Sequence, residues 1–556
     1  MDSVWLKHYP EGVPATIDPD QYASLVALLE ESFRKFKDRP AFHFMGKAFS
    51  FGEIDEMSRA FAAYLQGLGL AKGDRVAVMM PNVPQYPVAV AGILRAGFVL
   101  VNVNPLYTPR ELEHQLKDSG AKAIVIVENF AATLQACLNA VPTKQVILAS
   151  MGDLLGVKGV LVNYVVRNVK KMVPAFSLPG PVRFNAALAQ GRRSSFTAPS
   201  LKRDDIAVLQ YTGGTTGVSK GAVLTHRNVI ANVLQSEAWN APALKDLAPG
   251  QYPVTICALP LYHIFAFTVN MMLSMRMGGA NVLIPNPRDL PAVFKEIGKH
   301  KFQSFPAVNT LFTAMANHPQ FDTVDWSHLK LSVGGGMAVT SSTAKLWLEK
   351  TGSPIIEGYG LSETAPSATC NPVTSKTFSG AIGVPIPSTE VKLIDDDGNE
   401  VPLGQPGEIA IKGPQVMAGY WQRPDETAKV MTPDGFFRSG DIGTVDNGGY
   451  FKIVDRKKDM VLVSGFNVYP NEVEDVVGQM PGVLECAVVG VPDEKSGEAV
   501  KLVVVRKDPT VSEADVRSYC ETHLTGYKRP KVIEFRTDLP KTPVGKILRR
   551  ELRAKS

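Results

Sequence analysis

The sequence predicts an α/β protein: a large N-terminal body of layered βαβ sheets with subdomains, then a smaller C-terminal part of α+β character. Three observations predict it. The 556 residues correspond, at roughly 150 per domain, to about three or four domain-sized units. Hydrophobic residues make up 45% and charged residues 20%, which excludes disordered, collagenous and fibrous classes. Short, continuous apolar runs alternate with helical periodicity, the pattern of strands buried on both faces and joined by crossover helices.

Taken in order, residues 22–36 carry apolar side chains at helical spacing: Leu25, Leu28, Leu29 and Phe33. Residues 75–79 and 123–127 are apolar runs of strand length, with a helix predicted over 86–96 after a proline-punctuated turn. Further strands are predicted at 207–210, 282–284 and 329–333. Between Asp246 and Arg276 there is no Asp, Glu, Lys or Arg, and residues 254–275 have the length of a membrane span. Pro260, His263 and Asn270 interrupt that stretch, so it reads better as a buried strand, a loop and a buried helix.

Residues 154–176 mix large apolar side chains with Lys158, Arg167, Lys170 and Lys171 and contain no acid. That is the composition of a basic amphipathic helix on an anionic bilayer; the alternative is a core-packing helix with solvated lysines. From Asp455 the pattern changes. A charged run over 455–459 precedes strands at 483–489 and 499–505 and a helix over 513–522. The organisation predicted is a body over 1–454, a hinge at 455–459 and a small domain over 460–556.

The charge balance is Lys+Arg 59 against Asp+Glu 54, a net +5, too weak over this length to imply nucleic acid. Cys137, Cys257, Cys370, Cys486 and Cys520 share no metal-ligand or redox spacing, which fits a reducing compartment. No basic region followed by an apolar one marks a secretory signal at the start. The expectation is a cytoplasmic protein, with peripheral contact to the inner face of the cytoplasmic membrane through residues 154–176. A homodimer is left open.

The densest local signal is Tyr211-Thr-Gly-Gly-Thr-Thr-Gly-Val-Ser-Lys-Gly221, directly after a predicted strand. Thr212, Gly213, Gly214, Thr215, Thr216, Gly217 and Lys220 offer turned N–H groups, hydroxyl donors and a cation, the means of holding polyphosphate. It is not a Walker A loop, because Lys220 follows Ser219 rather than glycine. An ordinary glycine turn is the plainer reading, but it leaves the hydroxyls and the lysine without purpose.

Continued by Ala222-Val-Leu-Thr-His226, this stretch resembles the phosphate-binding signature of the adenylate-forming enzymes. The family's other motifs follow in order: Leu259-Pro-Leu-Tyr-His263, Gly358-Tyr-Gly-Leu-Ser-Glu-Thr364, Ser439-Gly-Asp-Ile-Gly443, Asp455-Arg-Lys-Lys-Asp-Met460, Ser464-Gly-Phe-Asn-Val-Tyr-Pro-Asn-Glu472 and Pro540-Lys-Thr-Pro-Val-Gly-Lys-Ile547. Within the family the whole chain is similar to the bacterial branch that joins long-chain fatty acids to CoA.

The resemblance implies two half-reactions: a fatty carboxylate and ATP give an acyl adenylate and pyrophosphate, then CoA displaces AMP. It implies Mg2+ as cofactor, with ATP and CoA as co-substrates. Thr212, Thr215, Thr216 and Lys220 take the β/γ-phosphate cradle; Thr216 and Glu363 stand near Mg2+. Gly335, Gly336, Glu357, Gly358, Tyr359 and Gly360 surround the base, with Tyr211 leading into the loop. Thr364 takes the α-phosphate, and Asp441 and Arg456 the ribose. Lys546 is implied as the adenylation lysine, Lys458 as the hinge, Gly465 as part of the pantetheine tunnel, and His263 as a group near the acyl substrate. The hinge makes the small domain mobile. Two alternatives stay open: a ligase of medium-chain or aromatic acids, and a non-enzymatic membrane-surface scaffold.

Overall fold

The structure, a computed structural model, describes residues 4–212, 219–248, 250–457, 459–464, 466–493, 496–542 and 545–553. Two large sheets carry most of the chain. The first has eight strands, and its parallel centre contains Ile206–Tyr211, Val99–Asn102, Arg75–Met79, Ala123–Val127 and Gln145–Ala149. The second has nine strands, and six adjacent ones from Pro40–Phe44 to Ile355–Gly360 are parallel. Antiparallel strands finish both sheets.

One core fills the space between the sheets. Phe42, Phe44 and Leu283 from one sheet and Val76, Val78 and Leu100 from the other meet helices Phe51–Gln66, Gln85–Arg95 and His226–Leu244. Helix Gln85–Arg95 is buried all round, which explains its near-continuous apolar sequence. Residues 254–275 behave as expected. Val254–Cys257 is a buried strand, and after a loop Ala266–Met272 forms a wide, buried helical turn. Among the described residues no helix is long and apolar enough to cross a membrane.

A four-stranded antiparallel sheet, Glu390–Ile394, Gly407–Lys412, Phe437–Val445 and Phe451–Arg456, follows. Beyond it, Val483–Asp493 and Gly497–Arg506 pair antiparallel over their whole length, with helices Pro470–Gly478 and Glu513–His523 sharing their core.

The stretch 154–176 departs from a single helix. Val157–Tyr164 is helical, Val165–Val169 continues as a wider turn, and Lys171 adopts φ 50° where the chain leaves the helix. Its orientation is the reverse of a core helix. Gly159 approaches the backbone of Gly152 so closely that a Cβ would lie 1.9 Å from the Gly152 carbonyl oxygen. Asn163 accepts from the Gly152 N–H at 2.7 Å, and Arg167 forms a bidentate pair with buried Glu128. The small and polar residues therefore face the protein. Val157, Val160, Leu161 and Tyr164, at 92, 72, 64 and 58% exposure, form an i, i+3, i+4, i+7 stripe facing solvent. Two of the four cations that composition assigns to a lipid surface are engaged elsewhere: Arg167 with Glu128, and Lys158 with the Met45 carbonyl.

Candidate functional site

Strands Leu331–Gly334 and Ile355–Gly360 run parallel, and a cleft opens where their carboxyl ends turn into loops. Open parallel sheets bind ligands at that end. Gly334, Gly335, Gly336, Gly358, Tyr359 and Gly360 line the cleft together with His263 and Lys546. At Gly335 and Gly360 a side chain has no room. A Cβ on Gly335 would stand 3.0 Å from the Phe265 ring, and one on Gly360 would overlap the Pro366 carbonyl. Gly336 adopts φ +78°, and a Cβ there would be 3.9 Å from the Lys546 Cε.

The Tyr359 hydroxyl donates to Asp441 Oδ2 at 2.7 Å, and both residues are buried. Asp441 pairs in register with Arg456 on the neighbouring antiparallel strand. The Arg456 side chain lies outside the described residues. Glu357, two residues before Tyr359 on the same strand, is buried and accepts from the Val339 N–H at 3.1 Å.

Burial pushes the Glu357 carboxyl up to about 8, and the Asp475 charge adds to the effect. The ordinary value is 4.5, so folding holds a proton that the unfolded chain releases. The stability this gives is complete below pH 4.5 and is lost as pH rises through 8. Glu357→Gln, which cannot ionise, is expected to match the parent in unfolding temperature near pH 5 and to exceed it at pH 9. A difference that stays constant across that range would assign the titration elsewhere.

The neck of the glycine-rich loop is closed by its flanking strands. Thr212 N–H donates to the Lys220 carbonyl at 2.9 Å, and Tyr211 donates to Asp118 at 2.8 Å behind it. Gly213, Gly214, Thr215, Thr216 and Gly217 lie outside the described residues, as do Lys458 and Gly465. Lys220 pairs with Glu426 and stands over the Tyr420 ring at 5.1 Å. The Tyr420 hydroxyl in turn donates to Glu363 Oε1 at 2.8 Å. A cation at the loop neck and a buried carboxylate are thus joined through one tyrosine. Thr364, next to Glu363, is buried, with its hydroxyl turned back to the Leu361 and Pro366 carbonyls.

Lys546 enters the cleft from the C-terminal segment, where its N–H donates to Thr542 Oγ1 at 3.0 Å. His263 lines the same cleft, and burial followed by the Lys546 charge pushes its imidazole down to about 3. The ring is neutral at any ordinary pH. Its Nδ1 accepts from the Phe265 N–H at 3.3 Å, which puts the ring hydrogen on Nε2. Phe267 is fully buried in the same turn. Cys370 also lines the cleft, and burial pushes its thiol up to about 12.

The motifs missed Tyr420 and Glu426. The available signal was Gly419-Tyr-Trp ahead of Pro424-Asp-Glu, an aromatic pair before an acidic helix start. Among the described residues no three His, Cys, Asp or Glu side chains gather into a metal site.

A family model for the AMP-binding enzyme matches residues 29–421, and one for the AMP-binding enzyme C-terminal domain matches 472–546. The chain is 56% identical over 555 residues to a long-chain-fatty-acid–CoA ligase of Escherichia coli O6:H1, covering 100% of this chain and 98% of the relative. It is 37% identical over 553 residues to the Bacillus subtilis ligase of that name, covering 99% and 97%. Among solved structures, the anthranilate CoA ligase AuaEII with anthranoyl-AMP superposes with a TM-score of 0.84 at 26% identity, covering 96% of this chain and 98% of that one. ATP-bound MatB from Rhodopseudomonas palustris gives 0.77 at 30% identity, covering 95% and 98%. This chain belongs to the AMP-binding enzyme family.

Proposed function

We propose that the protein activates long-chain fatty acids to acyl-CoA through an acyl adenylate, consuming ATP and CoA and releasing AMP and pyrophosphate. The observation that carries the chemistry is Lys546 reaching the cleft beside His263 and Gly336. The long-chain assignment draws on full-length identity to ligases of that name. The test is product analysis: a long-chain acid, ATP, CoA and Mg2+ should give acyl-CoA, AMP and pyrophosphate in equal amounts. A preference for aromatic or short acids would overturn the long-chain assignment.

In the first step a carboxylate oxygen attacks the α-phosphorus, and the bond to pyrophosphate breaks. Two anions must meet, and the Lys546 ammonium between them lowers that repulsion most where charge is concentrated, in the transition state. Neutral His263 supplies an Nε2–H donor to the same space without adding charge. In the second step the CoA sulfur attacks the acyl carbon, its proton is lost, and AMP leaves with the electron pair of the C–O bond. Tyr359 and Asp441 serve the base and ribose, with Glu357, Gly358 and Gly360 setting the pocket behind them. Thr212, Thr215, Thr216 and Lys220 receive the phosphates, and Thr364 stands at the α-phosphate. Arg456, Lys458 and Gly465 keep their proposed ribose, hinge and tunnel roles.

A single buried carboxylate, Glu363, fits Mg2+, which takes one or two carboxylates and completes its shell with phosphate oxygens and water. When bound, the ion would neutralise charge on the departing pyrophosphate. Glu426 holds Lys220 at the loop neck, so arriving phosphate exchanges one anionic partner of this lysine for another.

The same reading gives the protein a lipid partner at the cytoplasmic face of the membrane, where its apolar substrate resides. The outward stripe on Val157–Tyr164, extended by exposed Val169 and Met172, is the support, with Lys170 and Lys171 at its rim. Apolar burial at an interface dominates binding in such a geometry, and the two cations add an anionic preference. Val160→Asn with Leu161→Asn is expected to weaken partition onto vesicles containing anionic phospholipid by at least tenfold. Arg167→Gln would report loss of its Glu128 anchor rather than of a lipid contact. Unchanged flotation of the double variant would sink the assignment.

A further inference from the structure

The C-terminal segment reaches the body at a few named places. Thr310 Oγ1 donates to the Gly545 carbonyl at 3.3 Å, and Lys507 donates to Asn317 Oδ1 at 2.8 Å. The third contact differs in kind. Asp475 on helix Pro470–Gly478 accepts from both the N–H and the Oγ of Ser341, at 3.1 and 3.0 Å. Ser341 begins helix Ser341–Thr351, whose first-turn N–H groups have no partner within the helix and carry its positive end. A carboxylate there makes charge-assisted bonds and meets the dipole, the strongest of the three arrangements.

Its place relative to the cleft gives the contact meaning. The loop from Gly335 to Thr340 joins the strand Leu331–Gly334 to that helix. Gly336, near its start, meets Lys546, while Ser341, just past its end, meets Asp475. Buried Glu357 holds the middle through the Val339 N–H. The C-terminal segment therefore lies against both ends of one short loop, with the lysine beside Gly336 and the carboxylate bonded to Ser341. Rotation about the proposed hinge for the second half-reaction would separate both.

We propose that Asp475 is a positioning residue for the adenylation step: it docks helix Pro470–Gly478 on the start of helix Ser341–Thr351 and so holds Lys546 at Gly336. It touches neither substrate nor reacting atoms. The proposal rests on the acyl-CoA ligase reading above, and the two half-reactions separate it from a merely structural role.

Asp475→Ala is expected to lower acid-dependent exchange of pyrophosphate into ATP by about tenfold, the weight of charge-assisted bonds at a helix start. Conversion of a synthetic acyl adenylate and CoA to acyl-CoA should stay within about twofold or rise, because the segment is released toward that arrangement. Asp475→Asn keeps an acceptor for the Ser341 N–H and should fall between parent and alanine variant. It also provides the test if alanine fails to fold. Unchanged exchange in both variants, or an equal fall in both half-reactions, overturns the role of Asp475. Absence of exchange in the unaltered protein with every long-chain acid overturns the ligase reading itself.

Discussion

Replacing Lys546 by alanine is expected to reduce acyl-adenylate formation by about a thousandfold, the upper range for loss of one preorganised charge-stabilising group. The argument is electrostatic. An attacking carboxylate and a polyphosphate are both anions, and the cleft that brings them together is lined largely by glycines and apolar residues, which screen less than water. Lys546 is the cation that reaches this cleft's wall, and neutral His263 cannot replace it. Thioester formation from preformed acyl adenylate should survive, since by then the phosphoryl chemistry is complete. Acid-dependent pyrophosphate exchange and the isolated second step, measured on one preparation, check both halves. A parallel loss of both would show that the lysine supports the fold of the segment rather than the reaction.

Glu363→Gln is expected to lower the first half-reaction by about a hundredfold and to raise the Mg2+ concentration needed for half-maximal rate. The side chain is nearly isosteric and can still accept from Tyr420, so packing and the 2.8 Å hydrogen bond are preserved while the charge is removed. That isolates the charge as the cause. Tyr420→Phe removes the hydrogen bond alone and should act weakly by comparison. A glutamine variant with an unchanged Mg2+ dependence would exclude Glu363 as the ion's ligand.

Strands that depend on buried apolar runs were legible. Residues 123–127 coincide with the strand Ala123–Val127, and 207–210 lie within Ile206–Tyr211, because strands covered on both faces need little context. The strand predicted at 483–489 continues to Asp493 because Gly497–Arg506 pairs with it throughout, a long-range fact that a local pattern does not carry. The four-stranded antiparallel sheet was not read, since its short, half-exposed strands are specified by their partners more than by their own composition. For residues 154–176 composition identified an amphipathic segment but not its orientation. That depends on Gly152 and Glu128, which lie outside the helix and choose which face turns inward.

At the site, motif order picked out Tyr359, Glu363, Asp441 and Lys546, which are scattered along the sequence. The structure brings Tyr359 to Asp441 and Lys546 to the glycine turn. Tyr420, Glu426 and Asp475 escaped notice because each acts through a contact with a distant element, and none stands in a run of unusual composition.

Cys370 on the cleft wall bears on chemical fidelity. An acyl adenylate is an acylating agent, and any thiolate in reach would compete with CoA for the acyl group. With its thiol pushed up to about 12, Cys370 stays protonated and weakly nucleophilic, and Cys137, Cys257, Cys486 and Cys520 are raised by burial as well. Burial thus disfavours the thiolate on the sulfur that lines the cleft, and so favours the incoming CoA as the sulfur that reacts.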